Sequence, residues 1–388
     1  MKIFVLTSRI PYPLEKGDKL RVYHQLKELS GQHDIHLCCL SAEKYDQRSV
    51  DHLQAFCSSV DVVPLARWKI LFRLVFAVFS SRPFQVHYFM QMQAFWKVQA
   101  LIQQYKPDHI FCQLIRCSEY VKDLHEVPKT LDYMDAFSMG MQRLSQKSSG
   151  LKRWLWQTES KRLLRYENLI FDYFDNHCII SAQDRDHIYH QSRKSIEIIP
   201  NGVDVEFFQR TKDPEPKTIV FTGNMSYPPN VDGALFLANE IMPEVWKEEP
   251  EAKLVLAGAT PHSKVQSLAS DRIEVTGWMD DIRDAYNRAT IFVAPMRIGT
   301  GLQNKLLEAM SMSIPSITSP LANNALQATE NKEIITATSA IGFAQSIRSI
   351  LGDETLQSTL AESGRAFVEQ NYSWAAATSI LTEIMTEL

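Results

Sequence analysis

The chain has 388 residues, of which 45% are hydrophobic and 22% are charged, so it can form two domains that each bury a core. Its formal net charge of -4 gives no overall attraction to nucleic acid, and a bound anion would have to be held locally. The six cysteines lack metal-binding spacing, which favours a reduced, cytoplasmic protein without a metal site.

The N-terminus has the pattern of a buried strand. The apolar run in MKIFVLTSRIPYP is interrupted by Arg9 and two prolines too early for a secretion signal. A polar loop, PYPLEKGDK, and an amphipathic helix, LRVYHQLKELS, follow it. We therefore expect the protein to stay in the cytoplasm.

The most apolar segment runs from Arg67 to Phe79, RWKILFRLVFAVF, and is shorter than the roughly 20 residues that a membrane span needs. We interpret it as a core helix of the N-terminal domain, because a buried helix is apolar most of the way round. The alternative is an interfacial helix on anionic lipid, which the basic residues near Trp68 and the many aromatic residues would permit. That alternative would give the protein a peripheral contact with the inner membrane surface.

Strand-like and helical patterns alternate along both halves, which indicates parallel sheets covered by helices. The strand-like runs of the second half are TIVFTG, AKLVLAGA, RIEVTGW, TIFVAPM and IPSITS. A charged, proline-containing stretch, PNGVDVEFFQRTKDPEPK, separates the halves. We predict an α/β protein with two doubly wound, Rossmann-like domains, residues 1–200 and 201–372, facing each other across a cleft. Ligands of such sheets bind beyond the carboxyl ends of the strands, which places these glycines near the cleft: Gly17, Gly223, Gly258, Gly277 and Gly299.

The stretch 296–310, MRIGTGLQNKLLEAM, follows a strand-like run and predicts a helix that begins near Gly301. The helical period places Leu302, Leu306, Ala309 and Ser313 on a face toward the sheet, and Gly301, Asn304, Lys305, Glu308 and Met312 on a face toward the cleft. Free N–H groups at such a helix start suit a phosphate or diphosphate.

Arg297 and Lys305 would add positive charge at that helix start, and Glu308 would accept hydrogen bonds from sugar hydroxyls. The alternative is that Lys305 and Glu308 form a solvent-exposed ion pair worth only a few tenths of a kcal/mol.

Several motifs together resemble a known family. PNGVD, FTGNMSYPPNVDGALFL, LVLAGATP, IEVTGW and RIGTGLQNKLLEAMSMSIPSITS are similar to the retaining glycosyltransferases of family four, which have the GT-B fold. Within it the chain is most similar to bacterial sugar transferases associated with exopolysaccharide gene clusters. The resemblance covers nearly the whole chain and is most specific in the C-terminal half.

The resemblance implies that a nucleotide-diphosphate sugar donor binds mainly to the C-terminal domain. The N-terminal domain would bind a saccharide or lipid-linked acceptor, and residues 373–388 would form a helix crossing back to it. No cofactor is implied, since the nucleotide sugar is a substrate. The family's attack on the sugar from the side of the leaving group would require no protein nucleophile. A nucleotide-sugar epimerase of the same fold and a non-catalytic nucleotide-sugar-binding protein are alternatives.

The family usually carries two glutamates with seven residues between them, and here they correspond to Thr300 and Glu308. Thr300 therefore lacks the family's side chain, although backbone N–H groups from Gly299 to Leu302 would still contact the donor. Where the family often has Arg and Lys, this chain has Gly223 and Asn224, so Arg297 and Lys305 are our candidates to replace that charge.

Further candidates follow other strands. Gly17 and Asp18 resemble the family's N-terminal glycine loop, or form an ordinary turn capped by Asp18. Trp278 and Met279 would border the nucleobase. Asp132 and Asp135 would face the acceptor, although we favour a cap for Asp135. Asp280 and Asp281 are adjacent carboxylates, and we interpret Asp281 as a helix cap rather than a metal ligand.

Overall fold

The computed structural model describes residues 1–14, 16–146, 148–298 and 301–387. The chain divides into two compact units, Met1–Asn201 with Ala377–Leu388, and Gly202–Ala376. Each unit is built on a parallel sheet with helices packed against it. This confirms the predicted α/β class with two Rossmann-like sheets.

The sheet of the first unit consists mainly of apolar runs whose side chains are buried on both faces, as a helix-covered parallel sheet requires. Its strands are β1 (Lys2–Thr7), β2 (Asp34–Ser41), β3 (Ser59–Pro64), β4 (His109–Gln113), β5 (Lys129–Met134), β6 (Asn176–Ile179) and β7 (Glu197–Ile198). The strand order is β3-β2-β1-β4-β5-β6-β7, so the winding reverses between β1 and β4. Such a reversal is where doubly wound sheets bind ligands.

The helices before the second sheet are α1 (Gly17–Leu29), α2 (Gln47–Gln54), α3 (Arg67–Ala77), α4 (Phe84–Phe89), α5 (Met92–Tyr105), α6 (Phe137–Gln146), α7 (Gly150–Phe171) and α8 (Ala182–Asp186). Helix α3 contradicts the core-helix interpretation of the most apolar segment. Ile70 and Ala77 pack inward, but most of its large apolar side chains are exposed to solvent. None of the helices within the described residues has the length and apolar character that crossing a bilayer would require.

The sheet of the second unit contains β8 (Thr218–Thr222), β9 (Lys253–Ala257), β10 (Ile273–Gly277), β11 (Ile291–Ala294), β12 (Ser316–Thr318) and β13 (Ile335–Thr336). Their order is β10-β9-β8-β11-β12-β13, which again reverses at the first strand of the unit. The helices are α9 (Pro228–Phe236), α10 (Met242–Val245), α11 (Ser263–Gln266), α12 (Arg283–Arg288), α13 (Asn304–Ser311), α14 (Pro320–Leu326), α15 (Ala340–Gly352) and α16 (Glu354–Tyr372).

The last helix, α17 (Trp374–Thr386), begins in the second unit and continues into the first. Its inward side chains Ala377, Leu381 and Met385 belong to the apolar core around β1 and β2. The apolar face of α17 is thus buried by the N-terminal sheet.

A buried ion pair links α1, β5 and the residues that follow β7. Arg21 of α1 is fully buried, and its Nε donates to Oδ2 of Asp132 in β5 at 2.7 Å. Its Nη1 donates to the carbonyl oxygen of Ile199 at 2.8 Å and to Oδ1 of Asn201 at 3.1 Å. The Asp132 carboxylate is therefore engaged inside the protein, and the prediction that it faces the acceptor is wrong.

Candidate functional site

The ends of β8 and β9 carry two glycines in close contact. Gly223 has φ +150° and Gly258 has φ +139°, conformations that favour glycine. A Cβ on Gly258 would lie 1.9 Å from the carbonyl oxygen of Gly223. A Cβ on Gly223 would lie 2.6 Å from Nδ2 of Asn230 and 3.3 Å from Nζ of Lys305. Because Gly223 has no side chain, the side chains of Asn230 and Lys305 can reach the end of β8.

Lys305, in the first turn of α13, brings an ammonium group to this edge of the sheet. Its Nζ donates a hydrogen bond to Oδ1 of Asn230 and lies 4.7 Å from the ring centroid of Phe221 in β8. Asn230 is held in turn by a 2.9 Å hydrogen bond from its Nδ2 to the carbonyl oxygen of Asn224. Among the described residues, no carboxylate lies within ion-pair distance of this Nζ, so its charge is available to a ligand.

Burial lowers the pKa of Lys305 to about 8, and the carboxylate of Glu308 opposes that change. At neutral pH the amine is therefore still mostly protonated. A partly desolvated cation attracts a nearby anion more strongly than a fully solvated one. Lys305 thus provides a partly desolvated positive charge that suits a phosphate or diphosphate.

Glu308, one turn further along α13, bonds to a different partner. The Tyr286 hydroxyl donates to Oε2 of Glu308 at 2.6 Å and shares a 2.7 Å hydrogen bond with the Thr222 hydroxyl. Burial raises the pKa of Glu308, whereas the Tyr286 hydrogen bond and Lys305 lower it. The alternative of an exposed ion pair between Lys305 and Glu308 is wrong, because both groups are withdrawn from solvent and hydrogen-bond to other residues.

Helix α13 begins later than its sequence predicts. It starts at Asn304 rather than near Gly301, so Gly301 and Leu302 lie in the loop that precedes it. Leu306 is buried as predicted. Met312 is fully buried as well, although the helical period placed it on the ligand face, because the helix ends before it.

The loop before α13 also carries Arg297, a predicted phosphate contact whose partners in the structure are two carboxylates. Arg297 was expected to neutralise phosphate, but its guanidinium donates to Asp232 at 2.8 Å and 3.0 Å and lies 3.5 Å from Glu240. These two carboxylates already balance its charge. Gly299 and Thr300 lie outside the described residues, so their predicted donor contacts remain predictions.

The other predicted donor contacts lie along the same edge of the second sheet. Oδ1 of Asn224 accepts hydrogen bonds from the Ser226 N–H at 3.0 Å and from the Thr260 hydroxyl at 3.0 Å, so this side chain shapes the loop after β8. Trp278, directly after β10, is 75% exposed, whereas Met279 packs against the core. The exposed indole ring of Trp278 can stack on a ligand. Met279 is less accessible to a ligand, because it packs against the core.

In the first unit, Gly17 and Asp18 open α1. A Cβ on Gly17 would meet the Met134 side chain at 3.4 Å. Asp18 lies in the first turn rather than before the helix, and its carboxylate pairs with Arg9 Nε at 3.1 Å. The prediction that Asp18 caps α1 is therefore wrong. Both residues remain at the carboxyl end of the first sheet.

Two further carboxylates were predicted to cap helices. Oδ1 of Asp135 is buried without a hydrogen-bond partner in the described structure, and burial, with Asp184 nearby, raises the pKa of Asp135 to about 6. Asp281 lies one residue before Ile282, the N-cap of α12, and its Oδ1 accepts the Arg283 N–H at 2.9 Å, so it is not the predicted N-cap itself. The described residues contain no group of three or more His, Cys, Asp or Glu side chains that could hold a metal ion.

A cavity of about 390 Å³ lies beyond the carboxyl ends of β1 and β2. Its wall includes three lysines and three tyrosines: Lys16, Lys19, Lys44, Tyr12, Tyr45 and Tyr88. Amines and aromatic rings are suited to polar, ring-shaped ligands such as saccharides. The sequence drew attention to Gly17 and Asp18 beside this cavity but not to the cavity itself.

Asn230, Tyr286 and Thr222 were not predicted as site residues. Asn230 lies in the first turn of α9, at the end of the stretch NMSYPPN that follows Gly223, and this position is the sequence signal that pointed to it. Tyr286 lies inside a short helix with no motif of its own and is fully buried. Its role depends on long-range contacts that a single sequence does not display.

Comparison with known proteins relates part of the chain to a described family and most of it to a bacterial protein. Residues 216–353 match the family described as "Glycosyl transferases group 1". Over 396 residues the chain is 23% identical to a Klebsiella pneumoniae protein described as "Uncharacterized 44.6 kDa protein in cps region", with 96% of each chain covered.

Solved structures resemble the chain over its whole length. Anabaena HepE in complex with UDP matches with a TM-score of 0.65 at 13% identity, covering 100% of both chains; HepE is also known in complex with UDP-glucose. Sucrose-phosphate synthase from Thermosynechococcus elongatus matches with a TM-score of 0.63 at 16% identity, covering 100% of this chain and 99% of the other. The fold is therefore the GT-B fold of glycosyltransferases. The family match and the fold together support a GT-B glycosyltransferase.

Proposed function

We propose that the protein is a cytoplasmic, retaining glycosyltransferase of family four. It moves a sugar from a nucleotide-diphosphate sugar to a saccharide or lipid-linked saccharide during synthesis of a cell-surface polysaccharide. The observation that carries this proposal is the ammonium group of Lys305, partly desolvated, hydrogen-bonded to Asn230 and without a carboxylate partner in the described structure.

The reaction breaks the bond between the anomeric carbon and the diphosphate oxygen, and that oxygen keeps the electron pair. The acceptor hydroxyl oxygen bonds to the anomeric carbon on the same side, and its proton passes to the departing phosphate. Negative charge on the diphosphate is greatest as the bond breaks, and a preorganised cation can lower such a barrier by roughly 3 kcal/mol. We assign this role to Lys305.

Glu308 would orient the donor rather than stabilise the leaving group. Its carboxylate is aligned by the Tyr286 hydroxyl at 2.6 Å, and a carboxylate so fixed can accept hydrogen bonds from ribose or sugar hydroxyls. The exposed ring of Trp278 offers a stacking surface for the nucleobase. The backbone of Gly301 and Leu302 would contact the diphosphate ahead of Asn304.

Other observations support the donor and the pathway. Anabaena HepE has been solved with UDP and with UDP-glucose, so uridine nucleotides are the first donors to test. The Klebsiella relative in a cps region is in keeping with polysaccharide synthesis. The cavity beside β1 and β2 is our candidate for the acceptor.

Thermal shift with UDP and UMP tests the phosphate site directly. A ligand at a hundred times its dissociation constant stabilises the folded state by about 2.7 kcal/mol. We expect UDP to raise the melting temperature clearly and UMP to raise it much less, because only UDP places a second phosphate at Lys305. Equal shifts for both nucleotides would remove the argument for this site.

Turnover then distinguishes the remaining activities. Incubation with a nucleotide sugar alone should leave the sugar unchanged, whereas addition of a saccharide acceptor should release nucleoside diphosphate. Formation of an epimer without acceptor would indicate an epimerase. Tight donor binding without turnover on an acceptor panel would indicate a non-catalytic binding protein.

A further inference from the structure

An apolar stripe lies on the solvent side of α3. Its members recur at steps of three and one along the helix and just past it, so they share one side: Trp68, Leu71, Phe72, Val75, Phe76 and Phe79. Each of them is between 57% and 89% exposed. Soluble surfaces rarely expose so many large apolar side chains together, and such a patch marks an interaction site.

The stripe continues onto the neighbouring helix α5. Lys69 Nζ donates a hydrogen bond to Oε1 of Gln93 at 2.6 Å, which places the starts of α3 and α5 side by side. On α5, Met92 and Trp96 are 60% and 64% exposed. We call these eight side chains the apolar face.

The two helical segments that carry the apolar face bear charges of one sign. Residues 67–79 and 92–105 contain four basic residues, Arg67, Lys69, Arg73 and Lys97, and no Asp or Glu. Two copies of this chain pairing through the face would bring like charges together, which disfavours self-association. An aromatic, apolar face bordered by Arg and Lys matches a helix lying in the interface of an anionic bilayer.

We propose that the apolar face docks the protein onto an anionic phospholipid membrane, with α3 lying in the plane of the headgroups. The aromatic rings enter the boundary between headgroups and acyl chains, while the side chains of Lys69 and Lys97 extend to the phosphates. Arg67 also donates from Nε to the carbonyl oxygen of Ala42 at 3.0 Å, and Ala42 lines the cavity beyond β1 and β2. Docking would therefore bring the wall of that cavity to the lipid surface.

Vesicle co-sedimentation of the full chain tests the proposal. The probes are vesicles of phosphatidylcholine alone and vesicles of phosphatidylcholine mixed with phosphatidylglycerol. We expect the parent to bind the anionic vesicles and to bind less as salt concentration rises. The double variant Phe72→Glu with Phe76→Glu should bind them about tenfold more weakly or worse, because two apolar anchors become charged.

Ile341→Glu is the matched control. Ile341 is 60% exposed and lies on α15 of the second unit, so a glutamate introduced there should leave vesicle binding at the parental level. A second variant, Lys69→Glu with Lys97→Glu, leaves the apolar face intact and should also weaken binding to anionic vesicles by about tenfold or more. It keeps the test decisive if the Phe72 and Phe76 substitutions prevent folding.

Three results would overturn the proposal. The parent could fail to sediment with anionic vesicles, or variants with parental melting temperatures could bind as well as the parent. Alternatively, analytical ultracentrifugation could show a parental dimer that Phe72→Glu with Phe76→Glu converts to a monomer without any vesicle binding. That last result would assign the apolar face to a second copy of the chain.

Discussion

Donor binding should change the protonation of Lys305. In the free protein, burial lowers the pKa of this amine to about 8. The diphosphate of a bound nucleotide sugar would bring negative charge to the amine and raise its pKa. The complex therefore binds more protons than the free protein at any pH where free Lys305 is partly neutral.

The expected size of this proton uptake follows from the pKa. At pH 8 about half of the free Lys305 is neutral, so binding of UDP-glucose should take up about half a proton per site. At pH 7 the uptake should be about a tenth of a proton. Above pH 8 the donor affinity should fall by up to about tenfold per pH unit, because each binding event must then protonate the amine.

Isothermal titration calorimetry measures the uptake. The observed heat of UDP-glucose binding is compared in buffers with different ionisation enthalpies, and the slope gives the number of protons taken up. The control is Lys305→Arg, whose guanidinium stays protonated across this range and should take up close to none. In parallel, Lys305→Ala should lower turnover by about a hundredfold or more.

Equal proton uptake by the parent and Lys305→Arg at pH 8 would refute this reasoning, because the proton would then bind elsewhere. Turnover of Lys305→Ala near the parental value would refute the assignment of the leaving-group role. Both tests require that the variants melt close to the parent.

Other substitutions test the supporting contacts. Tyr286→Phe removes the hydroxyl that aligns Glu308 and should destabilise the fold by about 1 to 3 kcal/mol. Steady-state kinetics should show that it raises the KM for donor more than it lowers kcat. Gly258→Ala should cost about 3 kcal/mol or more, seen as a lower melting temperature, because the new Cβ would collide with the carbonyl oxygen of Gly223. Arg21→Met should cost about 3 to 5 kcal/mol in denaturant unfolding by stranding Asp132, and adding Asp132→Leu should recover part of that loss.

The sequence predicts the sheets well because a buried parallel strand is apolar on both faces. Such a strand can be recognised from its own residues, without knowledge of contacts to residues far away in the chain. Ile219, Val220 and Phe221 form such a run, and all are fully buried in β8. The same local reasoning makes Lys305 and Glu308 candidate site residues, since a glycine-rich turn followed by a helix is itself a local signal.

Local reasoning fails where the deciding partner is far away in the chain. The charge of Arg297 is balanced by Asp232, 65 residues earlier, and no pattern around Arg297 reveals it. The alignment of Glu308 depends on Tyr286, 22 residues earlier. For α3, the sequence shows only that Leu71 and Phe72 are apolar, and apolar composition does not tell which side of a helix meets water.

The contact between Gly258 and Gly223 has a consequence for how this protein can evolve. When two side chains clash, a smaller residue at one position can compensate for a larger residue at the other. Here the obstacle to a side chain at 258 is the carbonyl oxygen of Gly223, an atom that every amino acid carries. Replacing residue 223 cannot create the missing space, so a substitution at 258 cannot be compensated by a substitution at 223.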